Sequence, residues 1–78
     1  MNPKPRYHIN IFFSQKDGCY VADIPDLRYC SAFGDSPIEA LSEVLIAQDL
    51  YLESCTRHGD PIPEPRYRPI IYQAAIGA

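Results

Sequence analysis

Ser36-Pro37-Ile38-Glu39-Ala40-Leu41 decides how the rest of the chain is read. Ser36 suits a helix N-cap, because its hydroxyl can accept a backbone N–H that the first turn leaves unpaired. Pro37 suits the first helical position, where a missing N–H is no loss. Glu39 completes a capping box with Ser36. The segment predicts a helix from Pro37 to about Arg57, stopped by His58-Gly59. Ile38, Leu41, Val44, Leu45, Gln48, Leu52 and Cys55 recur at helical spacing and predict a broad buried face, widened by Ala40, Ala47 and Tyr51. Ile46 and Leu50 fall on the opposite face, among Glu39, Glu43, Glu53 and Arg57. They form an apolar pair in an acidic surround.

Upstream, residues 6–14 alternate with period two and read as a strand. Gln15-Lys16-Asp17-Gly18 reads as a hairpin loop, with Gly18 supplying the positive φ. Residues 19–24 return as a second strand. A loop over 15–18 sets Ser14 opposite Cys19, Phe13 opposite Tyr20, Ile11 opposite Ala22 and Ile9 opposite Ile24. One face then carries Tyr7, Ile9, Ile11, Phe13, Tyr20, Ala22 and Ile24. The other carries His8, Asn10, Phe12, Val21 and Asp23. A slip of one residue would mix the two sets. Pro25-Asp26 ends the second strand, and residues 28–33 read as a third before Gly34-Asp35 turns.

Downstream, residues 60–65 (Asp60-Pro61-Ile62-Pro63-Glu64-Pro65) form an extended proline-rich connector. Residues 66–73 are expected as a short edge strand able to tolerate Pro69, residues 1–5 as a loose start, and 74–78 as a tail. The whole chain, 1–78, is one small domain. A domain of this size buries about 60–65% of its unfolded surface, so its core is thin and oligomerisation is a common remedy.

The net charge is -3, with the Arg residues and Lys4 largely near the ends of the chain. Phosphate affinity needs clustered Lys and Arg, so general nucleic-acid binding is disfavoured and a basic protein partner suits the chain better. Cys19, Cys30 and Cys55 cannot all pair, and their spacings match no zinc pattern. Met1-Asn2-Pro3-Lys4-Pro5 has no apolar core of a signal peptide, and no apolar run is long enough to cross a membrane. The expected setting is a reducing cytoplasm.

Other constellations are weaker. Asp23, Asp26 and Asp35 bracket the second and third strands, and carboxylates converging there could hold Mg²⁺ as in a nuclease remnant. Asp26 and Asp35 also sit where a turn and a cap want such residues. His8 and His58 are the only histidines, and His58 suits the negative end of a helix dipole. No nucleophile has a base near it in sequence, and no phosphate-binding glycine loop is present. The six tyrosines are common interface residues. Phe12 and Val21 on the sheet, and Ile70, Ile71, Tyr72 and Ile76 in the tail, add apolar groups without an evident cover.

The order of Asp17, Gly18, Tyr20, Ala22, Ile24, Pro25, Asp26 and Leu27, then Gly34, Asp35, Ser36, Glu39 and Ala40, then Gly59, Ile62, Pro63 and Pro65, resembles the HicB-like antitoxin family over roughly residues 7–65. The resemblance implies a three- to four-stranded antiparallel sheet with one packed helix, a partial ribonuclease H-like fold. It implies a domain that binds and blocks a small basic mRNA-cleaving toxin, and a dimer or tetramer. Where the family often has Pro-Gly-Cys after the Pro-Asp-Leu turn, this chain has Arg28-Tyr29-Cys30. Many members add a DNA-binding domain; the sequence ends at Ala78, so direct DNA binding by this chain is not expected.

The expectation is therefore an α+β domain, β-β-β-α with a possible fourth strand, without enzymatic activity or cofactor. The expected function is to neutralise a small basic ribonuclease toxin, with Ile46 and Leu50 as contact anchors and Glu39, Glu43 and Glu53 as a charged rim. The alternatives are an orphan homo-oligomeric structural or ligand-binding domain, and the Mg²⁺-dependent nuclease remnant.

Overall fold

The computed structural model describes residues 5–71. Three antiparallel strands, β1 (Asn10–Ser14), β2 (Cys19–Asp23) and β3 (Ser31–Gly34), form one sheet in the order β1-β2-β3, followed by helix α1 (Pro37–His58). The α+β class and β-β-β-α order match the sequence reading. So does the hairpin register: Ser14 faces Cys19, Phe13 faces Tyr20, Phe12 faces Val21 and Ile11 faces Ala22. Gly18 takes a φ of 68°, which closes the loop, and its N–H donates to the Ser14 carbonyl at 2.8 Å.

The helix begins and ends as its sequence dictates. The Glu39 N–H donates to Ser36 Oγ at 3.1 Å, as the expected cap requires, but the Glu39 carboxylate accepts from the Asp35 N–H at 3.2 Å, one residue before the cap, rather than from the Ser36 N–H of a capping box. Gly59 ends the helix at a φ of 72°.

Its buried face, however, is rotated from the one expected. Ala40, Val44, Gln48, Leu52 and Cys55 are buried, whereas Ile38 is 77% exposed and Leu45 is exposed too. Gly34 explains the rotation. A Cβ at Gly34 would lie 2.8 Å from the Glu39 carbonyl carbon and against the Ala40 nitrogen. The helix therefore meets the sheet through Ala40, where two small residues allow the backbones to touch. Ala40 and Val44 pack with Ala22, Ile24, Leu27 and Cys30 as the core. The helix lies chiefly on β3 and β2 and touches β1 least.

Strand boundaries also differ from expectation. β1 begins at Asn10, because β2 ends at Asp23 and residues 6–9 have no strand to pair with. Tyr7 instead sends its hydroxyl to the Pro63 carbonyl at 2.6 Å. β3 begins at Ser31, because residues 24–30 form a turn closed by Ile24 N–H to Cys30 O and by Cys30 N–H to Leu27 O. Between residues 66 and 71 there is no strand, so the expected fourth strand is absent from the described residues. Pro65 and Pro69 have no N–H, and Asp26 takes those of Arg66 and Tyr67, at 3.2 and 3.1 Å, so across residues 65–69 only Arg68 keeps a ladder donor, and residues 70 and 71 are helical. Residues 1–4 of the expected loose start, residues 72–73 of that strand, and Tyr72 and Ile76 of the tail lie outside the described residues.

Tyr29 takes a φ of 61°, a conformation that L side chains rarely adopt, at the position where the resembled family often has glycine. Its ring is 90% exposed, so little packing offsets the strain. Tyr29→Gly is expected to raise stability by about 0.5–1 kcal/mol, read from the urea midpoint.

Candidate protein-binding surfaces

The outer face of α1 carries the residues singled out from sequence. Ile46 is 56% exposed and Leu50 is 62% exposed, one turn apart. Both point away from the sheet because Val44, Gln48 and Leu52 hold the opposite side of the helix in the core. Glu39, Glu43 and Glu53 are exposed around them. Their settings differ. Glu39 is held by its capping hydrogen bond to the Asp35 N–H. Glu53 accepts from Arg57 at 2.7 Å in a solvent-exposed ion pair. Glu43 has no hydrogen bond or ion pair among the described residues. Surface pairs of this kind contribute little to folding, so these carboxylates remain available to a cationic partner.

A second apolar surface lies on the sheet face away from the helix. Phe12, Val21 and Phe33 stand side by side on neighbouring strands, because Phe12 pairs with Val21 and Val21 with Phe33. Val21 is buried between them, although among the described residues no helix or strand covers this face. Phe12 and Phe33 are themselves 51% and 56% exposed. The hairpin register predicts the Phe12–Val21 half of this row. Phe33 required the β2–β3 register, which Tyr20 opposite Gly34 sets. On the helix side, Ile11 and Phe13 of β1 also stay exposed, because the helix sits over the other two strands. Phe13 rests edge-on against Tyr20 at 5.3 Å.

The structure does not assemble the alternative metal site. Among the described residues no three His, Cys, Asp or Glu side chains form a group able to hold a metal ion. Asp26 has a structural task instead: its carboxylate accepts the Arg66 and Tyr67 N–H groups and latches the connector to the turn after β2. Cys30 and Cys55 are buried and Cys19 is partly exposed, and none of the three forms a disulfide. Burial pushes the Cys30 thiol above its ordinary value, and the nearby Asp23 charge adds to the shift. Among the described residues, no helix is long and apolar enough to cross a membrane.

Tyr7 is the other half of the connector latch. Burial raises its pKa first, and the charge of Asp26 second. The folded state therefore holds the phenol proton more tightly than the unfolded chain does. The stability this contributes is intact below the ordinary tyrosine pKa of about 10 and is lost as pH rises through the raised value. Tyr7→Phe is expected to lower stability by about 0.5–1.5 kcal/mol at neutral pH, since the Pro63 carbonyl loses its donor. Denaturant midpoints at neutral and alkaline pH should show that the variant has lost part of the wild type's alkaline sensitivity.

Several proteins are similar to this chain. UPF0150 protein ssl0259 of Synechocystis sp. is 36% identical over 53 residues, which cover 68% of this chain and 73% of that protein. UPF0150 protein ssr1765 of the same organism is 32% identical over 65 residues, 82% of each chain. UPF0150 protein Ta0767 of Thermoplasma acidophilum is 33% identical over 64 residues, 82% of this chain and 93% of that one. No family model matches the chain. No solved structure matches it significantly.

Proposed function

This chain belongs to the UPF0150 family, and we propose that it is a non-catalytic, HicB-like antitoxin module that neutralises a small basic mRNA-cleaving toxin in the cytoplasm. The observation that carries the reading is the outer face of α1, where Ile46 and Leu50 stand exposed within Glu39, Glu43 and Glu53. An apolar pair inside a ring of carboxylates suits a partner whose RNA-binding surface is cationic. The charges steer the approach and the apolar pair supplies the desolvated centre. Covering that surface would keep RNA from the toxin's active site. The chain's net charge of -3 agrees with such a partner.

The test is affinity capture from the native host lysate with identification of what co-elutes. The reading expects a small basic protein whose RNA cleavage stops when this chain is added in stoichiometric amount. Capture of no such protein, or of one whose cleavage continues unchanged, would remove the antitoxin reading.

Self-association belongs to the same proposal. The Phe12–Val21–Phe33 row, which no helix or strand covers among the described residues, suits a second copy of the chain, leaving the helix face to the toxin. Phe33→Glu is expected to convert a dimer or tetramer to monomer in light scattering while the far-ultraviolet spectrum stays unchanged. An oligomer that persists in this variant would place the self-contact elsewhere.

A further inference from the structure

The start of the chain and the segment after the connector meet in a cleft of about 420 Å³. Arg6, Tyr7 and His8 from the start of the chain line it together with Tyr67, Arg68 and the two prolines Pro65 and Pro69. The chain carries ten Asp and Glu against seven Lys and Arg, yet among the described residues no carboxylate lines this cleft. The latch brings the two guanidinium groups here from opposite ends of the sequence.

The walls are held before any ligand arrives. The Tyr67 N–H donates to both oxygens of Asp26 at 3.1 Å, so the residue is fixed by its backbone and its ring is left to do something else. That ring lies against His8, with centroids 4.8 Å apart and planes at 46°, and Tyr67 remains 39% exposed. His8 is positioned in turn by Nε2 bonded to Asn10 Oδ1 at 2.7 Å. Arg68 donates from Nη1 to the Tyr67 carbonyl at 3.2 Å. Arg6 is exposed and has no hydrogen bond or ion pair among the described residues. Pro65 and Pro69 stiffen the segment that carries Tyr67 and Arg68.

Two guanidinium groups match a phosphate, which takes paired N–H donors in a planar fork. A fixed aromatic ring with an open side matches the flat face of a base. The volume suits a small molecule carrying both. A long polynucleotide fits less well, because its further phosphates would run over a chain of net charge -3.

We propose that the cleft between Arg6, His8, Tyr67 and Arg68 binds a nucleoside phosphate, with the phosphate held by the two arginines and the base against Tyr67. This site is separate from the helix face and does not depend on the antitoxin reading.

The probe is AMP, titrated into the isotopically labelled full chain and followed by amide shifts. Saturable shifts confined to residues 6–8 and 65–69 are expected. Adenosine and inorganic phosphate should each bind at least about tenfold more weakly than AMP. Arg6→Glu and Tyr67→Ala should each weaken AMP by about tenfold or more without lowering the melting temperature; the alanine variant keeps the N–H that Asp26 holds. Absence of shifts at millimolar AMP would overturn the proposal. So would unchanged AMP affinity in Arg6→Glu, or an oligonucleotide that binds this cleft while AMP does not.

Discussion

Replacing Gly34 with alanine is expected to destabilise the fold by about 3 kcal/mol, at the upper end of what an overpacked contact does. The new Cβ would lie 2.8 Å from the Glu39 carbonyl carbon and closer still to the Ala40 nitrogen. Both are backbone atoms in the first turn of α1, which is pinned by the Glu39 N–H on Ser36 Oγ and by the Asp35 N–H on the Glu39 carboxylate. Neither can rotate aside as a side chain would. Relief requires the helix to lift from β3, which opens the contacts of Ala40 and Val44 with Ala22 and Ile24. A small domain has about 5–15 kcal/mol of stability in total, so the loss is a large share of it. Urea denaturation should show a much lower midpoint with an unchanged slope. Gly18→Ala is the control. Gly18 has a φ of 68° but open space around its Cβ position, so only the conformational cost of about 1–2 kcal/mol applies. A Gly34→Ala protein as stable as wild type would mean that the helix does not approach the sheet in this way.

Ile46→Asp is expected to weaken partner binding by about 2 kcal/mol or more, roughly thirtyfold, while changing folding stability by no more than about 0.5 kcal/mol. The residue is more than half exposed and outside the core, so the fold does not depend on it. The substitution also separates the two forces assigned to this face. It adds a carboxylate to a surface already rich in them, which on charge alone would favour a basic partner. A loss of affinity must therefore come from the missing apolar anchor. Glu43→Lys probes the other force: it should slow association and flatten the salt dependence, with a smaller effect on dissociation. Calorimetry and association kinetics at two ionic strengths read both. If Ile46→Asp changes neither binding nor oligomeric state, the outer helix face is not the contact.

The hairpin was legible because local rules agree there. Gly18 permits one turn, and the alternating residues on either side tolerate one register. The helix ends were legible for a similar reason, since Ser36, Glu39 and Gly59 act within a few residues of themselves. The rotation of the helix was not. Counting apolar residues favours large ones, and so ranks Ile38 and Leu45 as buried. The actual contact is set by the smallest pair, Gly34 and Ala40, whose closeness belongs to the tertiary structure. The segment after the helix was misread for a different reason. Its alternation suits a strand, but its donors are claimed by Asp26, forty residues away in sequence. The same long-range latch creates the arginine cleft, which no local pattern announces.

Of the proposed contact residues, Ile46 and Leu50 lie exposed on one helix face, as the helical period requires. Phe33 escaped notice because its place beside Val21 depends on where β3 starts. That start lies at Ser31, after the hydrogen-bonded turn of residues 24–30 in which Tyr29 takes a left-handed backbone.

The most direct measurement is RNA cleavage by the captured basic partner, titrated with wild-type chain and with Ile46→Asp. The expected result is stoichiometric suppression by wild type and little suppression by the variant at the same concentration. Equal suppression by both, or suppression by neither, would contradict a toxin-neutralising helix face.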